Sequence, residues 1–477
     1  MDSQSSTLLN MDVMHVILSY ATRNVVSDLM KTCHVLNSEG SKYLLKEGVV
    51  VESEVQLLSF IFFLVARNNP DNCHRRMSLF DNLSLHLDFP SPDVGIGLCH
   101  VFENLFPLAS NFTFLEIHDA EALLASHPPL GAAIAKLTTL QTLELFSAGE
   151  HCAMLLHTLQ SHLFTARLTF GDVDGDPEDV IPELDRNPIY LLHGSQSTLE
   201  SLDTSFSASS PWHGPRYPNV TTLSLSYLDL PSIEDYIRAF PNLQSLSTFE
   251  CSGYGVVPED WEERRTASMV YQAQHGTWQS MRHYWGSVLI LWLFGLTCRI
   301  PSVTLDFDDG EVDLDKLNDV LQAARPSSLI LKLSEASSLL DERFRSALHV
   351  DGLRVLDLCI AFCAPEDYDL VVGDILDSFV DVVRASSVTR VKLSLDWTTV
   401  AWMKPAGAPT TPLEVYLQEM DVDAYADTLF ASAASLENLH VSVVGPKRCI
   451  RGADRGRARS SGCNAGSSSS GDAKLEG

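Results

Sequence analysis

The chain has 477 residues, 45% of them hydrophobic, and Lys+Arg 33 against Asp+Glu 62 give a formal net charge of −29. A field of that sign repels phosphate backbones and argues against nucleic-acid binding by the body of the protein. The ten Cys form no paired C-x-x-C units, which leaves a finger-type zinc site without support and makes core thiols in a reducing compartment the expectation.

Residues 1–6 are polar. Leu8 to Leu45 then reads as two or three short helices: Val13, Val16, Ile17 and Tyr20 share one helical spacing, and Val25, Leu29, Cys33 and Leu36 a second. Asn37–Gly40 reads as a turn. A bundle of about 40 residues buries little surface alone and calls for a partner or a covering domain. Val55–Ala66 is apolar around its whole circumference, as is Val288–Leu296, but both fall short of the roughly 20 residues a spanning helix needs, so buried helices are expected and no membrane contact. Asn68–Arg76 reads as a polar, basic loop. Asp2 and Asp12, with no basic n-region, do not resemble a secretory leader, and a cytoplasmic or nuclear location is the expectation.

From residue 77 one pattern recurs, an alternating run with L-x-x-L-x-L spacing. It is clearest at Leu140/Leu143/Leu145 and repeats at Phe80/Leu83/Leu85, Phe112/Leu115/Ile117, Val220/Leu223/Leu225, Ile300/Val303/Leu305, Leu353/Leu356/Leu358, Val388/Val391/Leu393 and Leu436/Leu439/Val441. Looser copies lie at Leu168/Phe170, Leu199/Leu202, Leu243/Leu246 and Leu331/Leu333. Helical spacing fills the intervals at Ile96–Phe106, His151–Leu163, Ser232–Phe240, Leu314–Ala323, Asp374–Val383 and Tyr425–Ala434. A period of roughly 20–29 residues, one strand and one helix per unit, is the leucine-rich-repeat signature. A single unit cannot cover its own apolar face, so neighbours stack and share a core. The predicted fold is α/β: a short helical unit over 1–48, then an irregular leucine-rich-repeat solenoid, a horseshoe, over 49–444.

Three stretches break the period. The acidic run Asp172–Glu183 has carboxylates at calcium-loop spacing, but Pro177 stands where that loop needs Gly, so a solvated loop is expected. A second acidic run, Asp306 to Asp315, matches no such loop. Residues 251–299 span about two repeats and hold four of the seven Trp. Trp261, Arg264, Trp278, Arg282 and Trp285 are the substrate-binding candidates there, because Trp and Arg dominate interface hot spots and insertions map to binding faces; a repeat swollen by buried aromatic helices fits equally. Thr398–Pro412 reads as a loop. Residues 445–477, rich in Gly, Ser and Arg, are expected to be disordered.

The first helices resemble an F-box. Leu9, Asp12, Val13, Met14, Ile17 and Leu18, followed by Leu29, Cys33 and Leu36, carry the likeness, with Asn10 standing where the family usually has Pro. The wording Leu29 to Asn37, running into Gly40 and Lys42–Leu45, is similar to a fungal F-box-like family with degenerate leucine-rich repeats. The likeness extends over about the first 90 residues in wording and beyond them only in architecture. It implies a substrate receptor of an SCF-type (cullin-RING) ubiquitin ligase. Leu9, Asp12, Val13, Ile17, Leu18, Leu29, Cys33 and Leu36 would dock on a Skp-type adaptor, and the repeats would hold a protein substrate. The alternative is a repeat scaffold whose N-terminal helices only cap the stack. No nucleophile elbow, P-loop, dinucleotide fingerprint or H-E-x-x-H occurs, so neither catalysis nor a cofactor is expected.

Overall fold

The computed structural model describes residues 11–46, 48–65, 70–87, 91–171, 186–207, 214–227, 233–250, 260–306, 314–362, 370–403, 409–446 and 449–457. The chain divides into two compact units, residues 1–326 and 327–477. Leu9 and the Asp172–Glu183 run lie outside the described residues, as do Asp308 to Asp313 of the second acidic run.

The first unit opens with three helices, α1 (Met11–Tyr20), α2 (Arg23–Met30) and α3 (His34–Leu45). Asn37–Gly40, expected as a turn, is helical and lies inside α3. Strand β1 (Val49–Val51) follows, then α4 (Glu54–Val65), the all-round apolar segment, and α5 (Pro70–Leu79). The expected loop at 68–76 is therefore mostly helix. Pro70 supplies the fixed φ that suits a first turn, and Met77 turns inward at the end of the helix.

Nine further strands complete the sheet of this unit: β2 (Asn82–Leu85), β3 (Phe114–Ile117), β4 (Thr142–Ala148), β5 (Thr165–Phe170), β6 (Ser201–Ser207), β7 (Thr222–Tyr227), β8 (Ser245–Glu250), β9 (His283–Gly286) and β10 (Ser302–Asp306). Every pair is parallel and in chain order. The register explains the repeated spacing. Leu83, Leu115, Leu143, Ala166, Leu202, Leu223, Leu246, Tyr284 and Val303 stand opposite one another across nine strands. All nine are buried. Side chains alternate across a pleat, so one apolar residue at this position in each strand makes one continuous apolar row.

Two sequence expectations shift here. The middle anchor of β5 is Ala166, and Leu168 occupies the third place. And residues 260–299 are not a loop thrown out of the stack. They contain a repeat of their own, β9, between the helices Trp261–His275 and Val288–Phe294. Its anchors are Met281, Tyr284 and Gly286 instead of three aliphatics. Gly286 is required by its neighbours: a Cβ there would lie 2.2 Å from Thr248 Oγ1. The Tyr284 hydroxyl, 2.6 Å from Thr248 Oγ1, fills the space that a third leucine would take.

The second unit repeats the plan with β11 (Ser328–Leu333), β12 (Val355–Ala361), β13 (Arg390–Asp396) and β14 (Asn438–Gly445), parallel and in order. Leu329, Leu356, Val391 and Leu439 form its apolar row, so Leu331 is again a third anchor. The helix Val372–Ala385 covers the row with Ile375, Leu376, Phe379 and Val383. Thr398–Met403, expected as loop, is a short helix.

The expected disorder from residue 445 onward does not hold for Cys449–Gly456. These residues form β15, antiparallel to β14 over its whole length. The basic residues there are anchors. Arg455 reaches Asp427 at 2.5 Å and Asp423 at 3.0 Å on the helix Val422–Ser432. Arg451 donates to the carbonyls of Met420, at 3.0 Å, and Leu417. Helix-packed guanidinium groups explain why a stretch so poor in apolar residues is ordered.

Candidate functional site

Helix α1 carries two apolar stripes, one buried and one exposed. Met14 and Leu18 of α1, Val26 and Met30 of α2 and Leu36 of α3 form a small buried core. Leu29, Tyr43 and Phe63 pack at its edge. Gly40 is needed at the helix crossing, because a Cβ there would lie 2.4 Å from Met30 Cγ. Leu18 and Leu36, expected as adaptor contacts, are therefore interior residues of the helical unit. Leu29 is half-buried.

The other face of α1 carries Val13 (51% exposed), Val16 (57%), Ile17 (44%) and Tyr20 (88%). Spacing of three, four and seven residues puts these side chains on one stripe. Such a stripe ordinarily faces a protein core. Here it faces solvent, with exposed Val25 of α2 and Val35 of α3 as further apolar groups on the same helical unit. Asp12 and Cys33 are also exposed.

What holds the unit in place is a polar clasp from α5. Arg76 is 5% exposed. Its guanidinium donates to Asn37 Oδ1 at 2.7 Å, to Ser41 Oγ at 3.3 Å and to the Phe63 carbonyl, and lies 4.3 Å from the centre of the Phe63 ring. These partners are neutral, and burial pushes the guanidinium pKa down. Arg75 pairs with Glu39 at 2.7 Å, and Lys42 pairs with the other oxygen of Glu39 at 2.6 Å. Hydrogen bonds from Lys42 first and Arg75 second hold the Glu39 carboxyl at about 2.

The Trp-rich candidates do not converge. Trp278 is buried, and its indole N–H donates to the Phe240 carbonyl at 2.8 Å, so it is a core residue. Trp285 lies on the solvent side of β9 with its ring edge-on to Phe249 at 4.9 Å. Arg282 and Arg264 are exposed. Trp261 belongs to the helical layer, where Lys316 sits 5.2 Å from its ring. In the same layer a cavity of about 300 Å³ is lined by Arg265, Trp292 and Asp319 among others. Arg265 stacks 4.4 Å over Trp292 there and pairs with Asp319 at 2.9 Å, while the Trp292 N–H also donates to Asp319, at 3.2 Å. Arg265, Trp292 and Asp319 thus link three helices, Trp261–His275, Val288–Phe294 and Leu314–Ala324.

The solvent side of the sheet is the richer surface. Glu116, Glu144, Arg167, Asp203, Ser224, Ser247 and Trp285 share one row. Arg167 reaches Asp203 at 3.3 Å and Glu144 at 3.9 Å, and lies 5.1 Å from the Phe146 ring centre. Among the described residues, metal-ligating atoms come together at one place, His86, Glu116 and His118 on the same side of the sheet. Reading the sequence for strand anchors passes over them, although His86 and His118 each directly follow a third anchor, Leu85 and Ile117. That shared offset is the signal that finds them. No helix among the described residues is long and apolar enough to cross a membrane. No family model matches the chain, and no curated protein matches its sequence.

Proposed function

We propose that the chain is a non-catalytic adaptor of the F-box and leucine-rich-repeat kind, bringing a protein substrate to an SCF-type ubiquitin ligase. The observation that carries this reading is the outward stripe Val13, Val16, Ile17 and Tyr20, on a helical unit whose inward stripe is already satisfied. Solvent-facing apolar groups at helical spacing fit a groove or a partner helix. The resemblance of residues 9–45 to an F-box names that partner as a Skp-type adaptor. The row from Glu116 to Trp285 supplies charged and aromatic groups for the substrate. In this role the chain makes and breaks no bond; it raises the local concentration of substrate near the ligase.

A second reading, a scaffold whose N-terminal helices only cap the stack, draws on the clasp of Arg75 and Arg76. The two readings separate in one experiment: co-purification of the full chain with a recombinant Skp-type adaptor. Adaptor docking predicts a stable complex that Ile17→Asp weakens by at least about tenfold, since Ile17 would be buried at the contact. Ile17 lies outside the helical core, so the variant keeps its fold. No complex with a well-folded full chain would leave only the cap.

A further inference from the structure

We propose that His86, Glu116 and His118 form a binding site for a divalent transition-metal ion of the zinc type, held on the solvent side of the sheet. This site is independent of adaptor docking, which uses α1. The Nε2 atom of His118 is 2.9 Å from Glu116 Oε1, and Nε2 of His86 is 4.0 Å from the same oxygen. All three ligand atoms lie within 4.8 Å of one another. Ligands at a tetrahedral zinc stand about 3.3 Å apart, given metal–nitrogen and metal–oxygen distances near 2 Å. The observed separations straddle that value, so small side-chain rotations suffice.

Three features mark these residues as more than neighbours. First, Nε2 of His86 is buried yet has no hydrogen-bond partner. A buried imidazole nitrogen with no hydrogen bond is costly, and a shared cation removes the cost. Second, the two imidazole rings lie 3.9 Å apart, centre to centre. At that distance one ion can reach a nitrogen of each ring. Third, the backbone is fixed: His86 N–H donates to the Val51 carbonyl and His118 N–H to the Leu85 carbonyl, both at 2.8 Å, in the parallel ladder. Sites built on strands hold ligand geometry better than sites on loops.

The chemistry of the donor set selects the metal. Two imidazoles and one carboxylate suit zinc, copper or nickel; magnesium and calcium prefer oxygen alone. Phe146, stacked 4.5 Å from the His118 ring, walls one side of the cluster. Three protein ligands leave a coordination position for water or for a group on a bound partner.

The test is titration of the purified full chain with ZnCl₂ by calorimetry, alongside cobalt(II) absorption, which separates nitrogen and oxygen ligands from the thiolates that the ten Cys would provide. The wild type should bind one equivalent that the His86→Ala/His118→Ala variant lacks, without cobalt–thiolate bands. Glu116→Gln should weaken it by about ten- to a hundredfold, and MgCl₂ should give no heat. The control His440→Ala, on β14, should bind as the wild type does. Zinc should also raise the melting temperature of the wild type by more than that of Glu116→Gln, a readout that stands even where the double variant folds poorly. Equal isotherms for the wild type and Glu116→Gln, or binding of magnesium as tight as zinc, would overturn the site.

Discussion

Replacing Arg76 by Met keeps a long apolar stem against Phe63 and removes the guanidinium from the junction of α3 and α5. Three hydrogen bonds disappear, to Asn37, Ser41 and Phe63. Hydrogen bonds from a charged donor contribute about 1.5–3 kcal/mol each, and their loss leaves the three acceptors without a donor. Against this stands the relief of no longer burying a cation, worth several kcal/mol in the opposite direction. The cation–π contact with Phe63 adds about 1 kcal/mol to the loss. The balance is a loss of about 3 kcal/mol, confined to the attachment of the N-terminal helices. Hydrogen exchange followed peptide by peptide reads it directly. Amides of α1 to α3 should lose about a hundredfold in protection, because each 1.4 kcal/mol is a factor of ten. Amides of β4 to β7 should keep theirs. Unchanged exchange in α1 to α3 would show that the apolar edge at Leu29, Tyr43 and Phe63 holds the unit without the clasp.

Three further outcomes follow from the geometry. Gly40→Ala should destabilise the N-terminal helices by about 1–3 kcal/mol in the same exchange experiment, since its Cβ must displace Met30; a neutral result would mean that Met30 repacks freely. Trp278→Ala should cost about 3–5 kcal/mol in urea unfolding, as a buried indole with a satisfied N–H does. The Glu39 carboxyl titrates at about 2 against an ordinary 4.5, so its stabilisation is complete above pH 4.5 and is lost as the pH falls toward 2. The melting temperature of Glu39→Gln should therefore fall less than that of the wild type on acidification from pH 6 to pH 2.5, and parallel curves would refute the pairing with Lys42 and Arg75.

The strands were legible where aliphatic anchors recur at the L-x-x-L-x-L spacing, whereas the three-residue β1 (Val49–Val51) is too short to show it. Leu143, Leu223, Leu356 and Val391 announce their strands by that spacing. Strand β9 escaped because its row is completed across strands: Tyr284 reaches over to Thr248 and leaves room only for Gly286. Such compensation is invisible along one strand. Ala166 was passed over for Leu168, since alanine gives no apolar signal although it fills the middle place. The N-terminal helices were legible as helices, but not which stripe of α1 turned inward. Met14 with Leu18 and Val13 with Ile17 are both four apart and both apolar, and only packing against Met30 and Leu36 decides between them. Arg75 and Arg76 read as loop charges until α5 placed them over Asn37 and Glu39. His86 and His118 carry no meaning singly, and acquire one when the register sets two strand ends side by side.

A stack of parallel strands contains no instruction to stop, since each added strand offers the next the same unpaired edge. In the second unit the return strand β15 supplies that instruction. It runs against β14 and consumes the edge that Asn438–Gly445 would otherwise present. Any newcomer must then pair with a strand whose outward groups include Gly452 and whose arginines are tied down to the helix Val422–Ser432. A parallel strand added directly after β14 would have to displace β15. Loss of residues 449–456 would turn the last parallel strand, with Val441 and Val443 at its centre, into a template for end-to-end growth of filaments.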